Sequence, residues 1–372
     1  MPKIEEYCEI VAVGQKYRYW DDVEVSRGFG DPISQVRLSV AEISPQGGKG
    51  WSSLRLKPGD PVVASLAGRK VVTGFVSVRQ VAYNKDNHAV RFIIQSKGGD
   101  AVTGTVEAKP GQYRKSNLKQ IASSVLAPLG ITFKIIGAPE DADKIFDRVS
   151  VHVGEGIFEL IERLSRFRNL HLTDDSDGNM VASRRDNAEI VGDLQEGRNI
   201  LSAEMVWNNS AAAYQIKTLG DEHGSDQKYG DEVRGNSATA TNPDYKGKKT
   251  IVILAEQPGD TKDMQHRSNF EVAKIRAEMF SCQIVVRGWL RDDGSLWIEH
   301  VGKNVNVYSP MLIPQDKMTL AIQDVTHKQS DKQGTTTVLN LTLPGMLKAA
   351  DQVHPDGAPS VPGPATPNGA ET

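Results

Sequence analysis

The chain has 372 residues, enough for two or three packing units, and its 44 Lys and Arg stand against 47 Asp and Glu for a net charge of −3. That balance excludes an overall basic field that would gather nucleic acid or an anionic membrane surface, and equally excludes an acidic, solvating chain. With 34 glycines, 18 prolines and 38% hydrophobic residues, the composition fits a turn-rich, strand-rich globular protein better than a helical bundle.

The N-terminus, "MPKIEEYCEIVAVG", has acidic residues where a secretory leader needs a basic flank. No apolar run anywhere is long enough to span a bilayer as a helix. Cys8 and Cys282 match no metal or redox spacing, so synthesis and folding in a reduced cytoplasm is the expectation. From Tyr7 to about Gly104 short alternating runs split by turn signals predict an antiparallel β unit. Its turns fall at Pro58-Gly59-Asp60, at Ala67-Gly68 and in the polar run 84–88. Gly74 and Phe75 stand inside one of its strands, "VVTGFVSV", where a glycine marks a bulge, a tight bend or a close backbone approach.

Near residue 105 the period changes. Ser116 is placed to cap a helix with Leu118, Ile121, Ala122, Val125 and Leu126 on one face, stopped by Pro128 and Gly130. A second helix follows from about Gly156 to Phe167, then a hairpin turning at Asp177-Gly178, which together predict a small α/β insert over 106–192. The β pattern returns from 193 to 347, broken by a polar stretch at 220–248 read as an exposed loop and by a helix at 260–281. Residues 348–372 are a Pro/Gly-rich tail that cannot build a core. The fold class is α+β, mainly β.

Residues 74–98 and 319–345 share a pattern of strand, polar turn and Gly-terminated strand, in which Val81 aligns with Val325 and Val90 with Val338. The residues leave open whether this is a duplicated β unit or two unrelated hairpins. Chemistry-bearing patterns are lacking. The eight histidines are scattered, and "DDSDG" at 174–178 lacks the first and last ligands of a calcium loop, so a hairpin turn is the simpler reading. Glu155 and Glu159 can be paired on paper as a glycosidase dyad, but nothing in the sequence gives two carboxylates opposed environments. No nucleophile signature is present, so no catalytic, cofactor or metal residues are expected. The tryptophans, Trp289 and Trp297 among them, read as core anchors beside strands.

Three stretches carry a family resemblance: 20–42 continuing through "LKPGDPVVASLAGRKVVTGFVSVRQ", "QYRKSNLKQIASSVLAPLGITFKI" at 112–135, and 274–307 with Gly288-Trp289, Asp293-Gly294 and Leu296-Trp297. Together they resemble the baseplate hub proteins of Mu-like contractile phage tails, a group related to late control D proteins and to the base of VgrG spikes. The resemblance runs in order to about residue 347. It implies two related tube-type antiparallel β-barrels, 1–105 (completed by a strand from 200–220) and 193–347, around the α/β insert. It further implies a homotrimer in the virion tail baseplate, assembled in the host cytoplasm and joining the sixfold tail tube to a threefold central spike. Tape-measure and baseplate wedge proteins are further implied contacts, with DNA only passing through the lumen. Gly74, Phe75, Val81, Val325, Trp289 and Trp297 are then structural or interface candidates. The alternatives are the hub of a non-phage contractile injection system, a tail-associated cell-wall hydrolase and a monomeric carbohydrate-binding β protein.

Overall fold

The computed structural model describes residues 5–344 apart from 42–55, 84–87, 108–110, 138–139, 169, 184–188, 221–235, 256–258 and 313–316. The tail at 348–372 and most of the polar turn at 84–88 therefore lie outside the described residues. The alternation in the first hundred residues folds as β1 (Cys8–Ala12), β2 (Gln15–Tyr17), β3 (Asp22–Gly28), β4 (Gln35–Ala41), β5 (Pro61–Leu66), β6 (Arg69–Tyr83) and β7 (His88–Ser96). Val23, Val25, Val36, Leu38, Phe92 and Ile94 are all buried on one face, while Asp22, Arg37 and Arg91 alternate with them outward. The β5–β6 hairpin turns at Ala67 and Gly68, both at positive φ (48° and 77°), the mirror-image turn that matches strand twist.

The insert contains α1 (Gly98–Thr103), β8 (Gln112–Ser116), α2 (Leu118–Leu126), β9 (Phe133–Ile136), β10 (Phe146–Ser150), α3 (Ile157–Phe167), β11 (His171–Asp174) and β12 (Met180–Ser183). The cap of α2 is Asn117 rather than the expected Ser116. Ser116 is the last residue of β8, opposite Phe146, and its hydroxyl donates to the Arg114 carbonyl (3.0 Å). Asn117 and Gln120 instead form a reciprocal capping box at 2.9 Å in each direction. The apolar stripes of α2 and α3 close on one core with Phe133 and Leu172. Leu126 is fully buried there. Leu126→Asp is expected to cost about 4 kcal/mol or more by placing an unpaired carboxylate in that core. Hydrogen exchange should show the amides of 112–183 losing protection before those of β3, β4 and β7; the reverse order would contradict a separately cored insert.

The remaining elements are β13 (Ile190–Gln195), β14 (Ile200–Trp207), β15 (Gln215–Gly220), β16 (Asn236–Thr241), β17 (Thr250–Leu254), α4 (Thr261–Met279), β18 (Phe280–Arg287), β19 (Asn304–Tyr308), β20 (Met318–Ser330) and β21 (Gly334–Thr342). Part of the stretch expected to be a loop is thus strand. β16 pairs with β15, β17 flanks β15 on its other side, and α4 packs on this small sheet through Ile216, Ala240, Val272 and Ile275. The strand escapes a hydrophobicity reading because its inward residues are only Ala238 and Ala240. Ser268 of α4 adds a buried hydroxyl that donates to the Ala238 carbonyl (3.1 Å) and accepts from the Thr218 hydroxyl (2.7 Å).

One sheet of 13 strands runs β14-β18-β21-β20-β3-β4-β7-β6-β5-β1-β2, with β19 also beside β20 and β13 beside β19. The strand anticipated from 200–220 to complete the first unit instead edges the second: β14 pairs with β18, and it is β20 that lies against β3. Within this sheet the order β3-β4-β7-β6-β5 is repeated as β14-β18-β21-β20-β19, every neighbouring pair antiparallel. The long hairpin of each half carries a register shift at the same place, between Val76 and Val78 in β6 and between Ile322 and Asp324 in β20. Superposing the shifts sets Val325 with Arg79 and Val81 with His327. The Val81–Val325 alignment was two residues out of step, a slip that preserves which face each side chain occupies and so leaves the alternation unchanged.

Candidate assembly site

Gly74 lies in β6 between Val62 of β5 and Ser96 of β7. A Cβ there would sit 1.8 Å from the Gln95 carbonyl oxygen and 2.7 Å from the Ser96 Cα. The close approach demanding a glycine is thus made by the chain's own neighbouring strand, three residues before the bulge that bends β6. Phe75 is half-buried. Trp289 is fully buried: its backbone N–H donates to Glu6 Oε1 (2.6 Å) and its indole N–H to the Lys328 carbonyl (3.0 Å). Trp297 is buried under the Arg291 guanidinium, 5.4 Å from the ring centroid. Val325 is fully buried at the junction of β20 and β3, whereas Val81 is 47% exposed. Of the six candidates, Val81 alone presents an open apolar surface.

The junction between the two halves is dense in buried polar groups. His327, fully buried, accepts from the Ile298 N–H on Nε2 (3.2 Å), which leaves Nδ1–H to donate to Thr337 Oγ1 (2.8 Å); the Thr337 hydroxyl donates in turn to the Gly288 carbonyl (2.6 Å). Burial pushes the imidazole down to about 3. Nearby, Arg27 donates to Ser34 Oγ (2.9 Å), and Ser34 donates from its hydroxyl (2.6 Å) and backbone N–H (2.9 Å) to the buried Asp174 of the insert. Thr173 donates to the Gly28 carbonyl (3.1 Å) and Asp174 lies 3.4 Å from Arg27 Nε, so β11 is tied to β3 by two consecutive side chains. A Cβ at Gly28 would lie 2.3 Å from Asp324 Oδ1, so a larger residue there would have to displace the Asp324 carboxyl. Burial, with Asp31 alongside, pushes the Asp324 carboxyl up to about 6.

The residues of "DDSDG" and the Glu155/Glu159 pair serve structure. Asp175 accepts from the Asp177 and Asn179 N–H groups (2.9 Å each) and from Lys134 Nζ (2.6 Å), closing the β11–β12 turn. Glu155 is buried against Arg163 (2.7 Å) and accepts from the His152 N–H, while Glu159 accepts from the Gly156 N–H (3.0 Å) and caps α3. Among the described residues no group of three or more His, Cys, Asp and Glu is placed to hold a metal ion. The Asp174 and His327 networks gave no sequence signal, because their partners lie 140 and up to 29 residues away.

On the face turned from the core, a groove of about 460 Å³ crosses β3, β4, β6, β7 and β20, lined by Glu24, Arg37, Gln80, Arg91 and Lys328. Part of its charge is paired: Arg37 donates to Glu24 (2.8 Å), with Lys328 3.8 Å from the same carboxylate.

A doubled antiparallel sheet with open edges and an α/β insert is the fold of phage tail proteins. It is shared with the 43 kDa tail protein of prophage MuSo2 from Shewanella oneidensis (TM-score 0.79, 21% identity, covering 92% of this chain and 100% of that one). The tail protein from Neisseria meningitidis MC58 shares it too (TM-score 0.77, 16% identity, 92% and 98% covered). Residues 8–93 match the N-terminal domain of Mu phage baseplate assembly protein GpP-like proteins, and 98–184 match the second domain of baseplate hub protein gp44-like proteins. Baseplate hub protein gp44 of Escherichia phage Mu is 23% identical over 337 residues, 89% of this chain and 86% of that protein. The two domain matches and the phage Mu relative together support a Mu-like baseplate hub protein.

Proposed function

We propose that the chain is the hub of a contractile tail baseplate, working as a homotrimer whose three copies supply six quasi-equivalent β units around a lumen. The six units meet the sixfold tail tube on one side and the three insert-bearing chains meet a threefold central spike on the other, so one ring satisfies both symmetries. The observation that carries this reading is the repeated strand order within one sheet, β3-β4-β7-β6-β5 and β14-β18-β21-β20-β19. The role is mechanical. The net charge of −3 supports a lumen through which DNA passes with little net attraction, and tape-measure and wedge proteins are further contacts. No enzymatic step is assigned, in keeping with relatives named as tail and baseplate proteins.

The test is the mass of the purified chain in solution, followed by imaging along the symmetry axis. A species three times the 40.6 kDa chain with six β units about its axis is expected. A chain that stays monomeric at high concentration, or an image with only three units, would overturn the reading.

A further inference from the structure

The two halves of the sheet meet at a seam that can be read as a template. There the outer half of β20 lies antiparallel to β3, with Val325 opposite Arg27, Thr326 opposite Ser26, His327 opposite Val25 and Lys328 opposite Glu24. Val325, His327 and Val25 are each fully buried by this pairing and the core beneath it. The repeat supplies the equivalents. The outer half of β6 corresponds to the outer half of β20, through the shared bulge. β14 corresponds to β3, because Met205 faces Cys282 in β18 as Val25 faces Val36 in β4.

Neither equivalent has the strand neighbour that its counterpart has. β5 and the turn before it accompany β6 only as far as Val76, and β14 is paired only with β18. Among the described residues, no strand lies along the second edge of 77–82 or of β14. Residues 77–82 are exposed on both faces, where the matching stretch of β20 alternates with buried positions. Both edges also carry apolar surface that a solvated edge would not keep: Val78 at 43% exposure and Val81 at 47% on one, Val206 at 46% and Trp207 at 36% on the other.

We infer that the outer half of β6 pairs antiparallel with β14 of a second copy of this chain, in the register that sets Arg79 opposite Trp207, Gln80 opposite Val206 and Val81 opposite Met205. The inference rests on the proposed trimer and specifies its interface strand by strand. The chemistry of the pairs fits the transfer. Val81 and Met205 occupy the places of His327 and Val25, so the exposed Val81 gains the cover its counterpart already has. Trp207 stands where the seam has Arg27, and facing it is Arg79 in place of Val325. The seam's cation beside an aliphatic side chain becomes a guanidinium beside an indole, an attractive pair across strands. Trp207 is held for this contact by an edge-on packing against Phe280, with ring centroids 5.3 Å apart. Three intrachain seams then alternate with three interchain ones of the same register, and the open edges of 77–82 and β14 are both covered.

The test is a cross-link in the full chain. Gln80→Cys combined with Val206→Cys places thiols on directly opposed residues of neighbouring copies, while native Cys8 and Cys282 are buried at 1% exposure and do not compete. With diamide as oxidant, each pair of thiols is oxidised to a disulfide as diamide is reduced to the hydrazine. A ladder to covalent trimer is expected on a non-reducing gel, reversed by reductant, with at least tenfold less product from Gln80→Cys combined with Glu204→Cys. A trimer by mass that links equally well or better through position 204 overturns the register and leaves the trimer standing. A species that is monomeric by mass overturns both. Thiols consumed in a product of single-chain mobility would mean that the edges meet within one chain, which also overturns the inference. Val81→Asp gives an independent reading: loss of the trimer with retained circular dichroism is expected, and an unchanged trimer mass would count against the seam.

Discussion

Gly74→Ala, and more so Gly74→Val, is expected to prevent the first β unit from closing. Substitution of a glycine in a strand usually gains stability, because a glycine loses more conformational freedom on folding. Here the added Cβ would lie 1.8 Å from the Gln95 carbonyl oxygen, and the atoms it meets are backbone that cannot turn aside. Relief requires β6 and β7 to separate where Gly74 faces Ser96, which breaks the ladder on both sides of the bulge. The loss exceeds about 4 kcal/mol, the range reserved for a small set of severe mechanisms. Thermal melts followed by far-ultraviolet circular dichroism, with the mass in solution measured in parallel, check it. An alanine variant that melts with the wild-type chain would show that β7 can yield and that Gly74 serves something else.

Acid is expected to weaken the seam through His327. In the folded chain this imidazole is neutral, with both ring nitrogens engaged by Ile298 and Thr337, and burial holds its pKa at about 3 against 6.5 for a free histidine. The unfolded chain therefore takes up a proton that the folded chain refuses. The stabilising contribution is complete above pH 6.5 and is lost progressively as the pH falls from 6.5 toward 3. Its full size is on the order of 5 kcal/mol. Asp324 works in the opposite sense, since its folded carboxyl at about 6 stays protonated where the unfolded one at 3.8 ionises, so it offsets part of the loss between pH 6 and 4. Melting temperatures of wild type and His327→Gln between pH 4 and 8 check the sign. The wild type should lose stability more steeply below pH 6.5 than the variant. Parallel slopes, or a His327 resonance titrating near 6.5, would contradict a buried neutral ring.

A family resemblance spread along the chain pointed to the hub before any coordinates, because its markers are local: the "TGFV" strand, the helix ending at "APLG", and Gly288-Trp289, Asp293-Gly294 and Leu296-Trp297. Strands with bulky alternating residues and helices with apolar stripes were equally local, since each is decided by neighbours within a few positions. β16 was missed because its buried side chains are alanines, whose inward placement depends on α4 more than twenty residues later. The cap of α2 shifted from Ser116 to Asn117 because β10, thirty residues on, claims Ser116 for a ladder.

By itself, then, the sequence determined the mainly β class, the positions of the two long hairpins, the α/β insert and the lack of catalytic patterning, all properties of periodicity, turn chemistry and residue type. Tertiary structure alone decided the register of the repeat, the joining of β20 to β3, the burial of His327 and Asp174, and the identity of the strand that presses on Gly74. Strand pairing is a long-range choice among edges that look alike locally, and a two-residue slip leaves every face unchanged. Only the packed sheet, with its paired bulges and its covered and uncovered edges, separates the correct register from its neighbours.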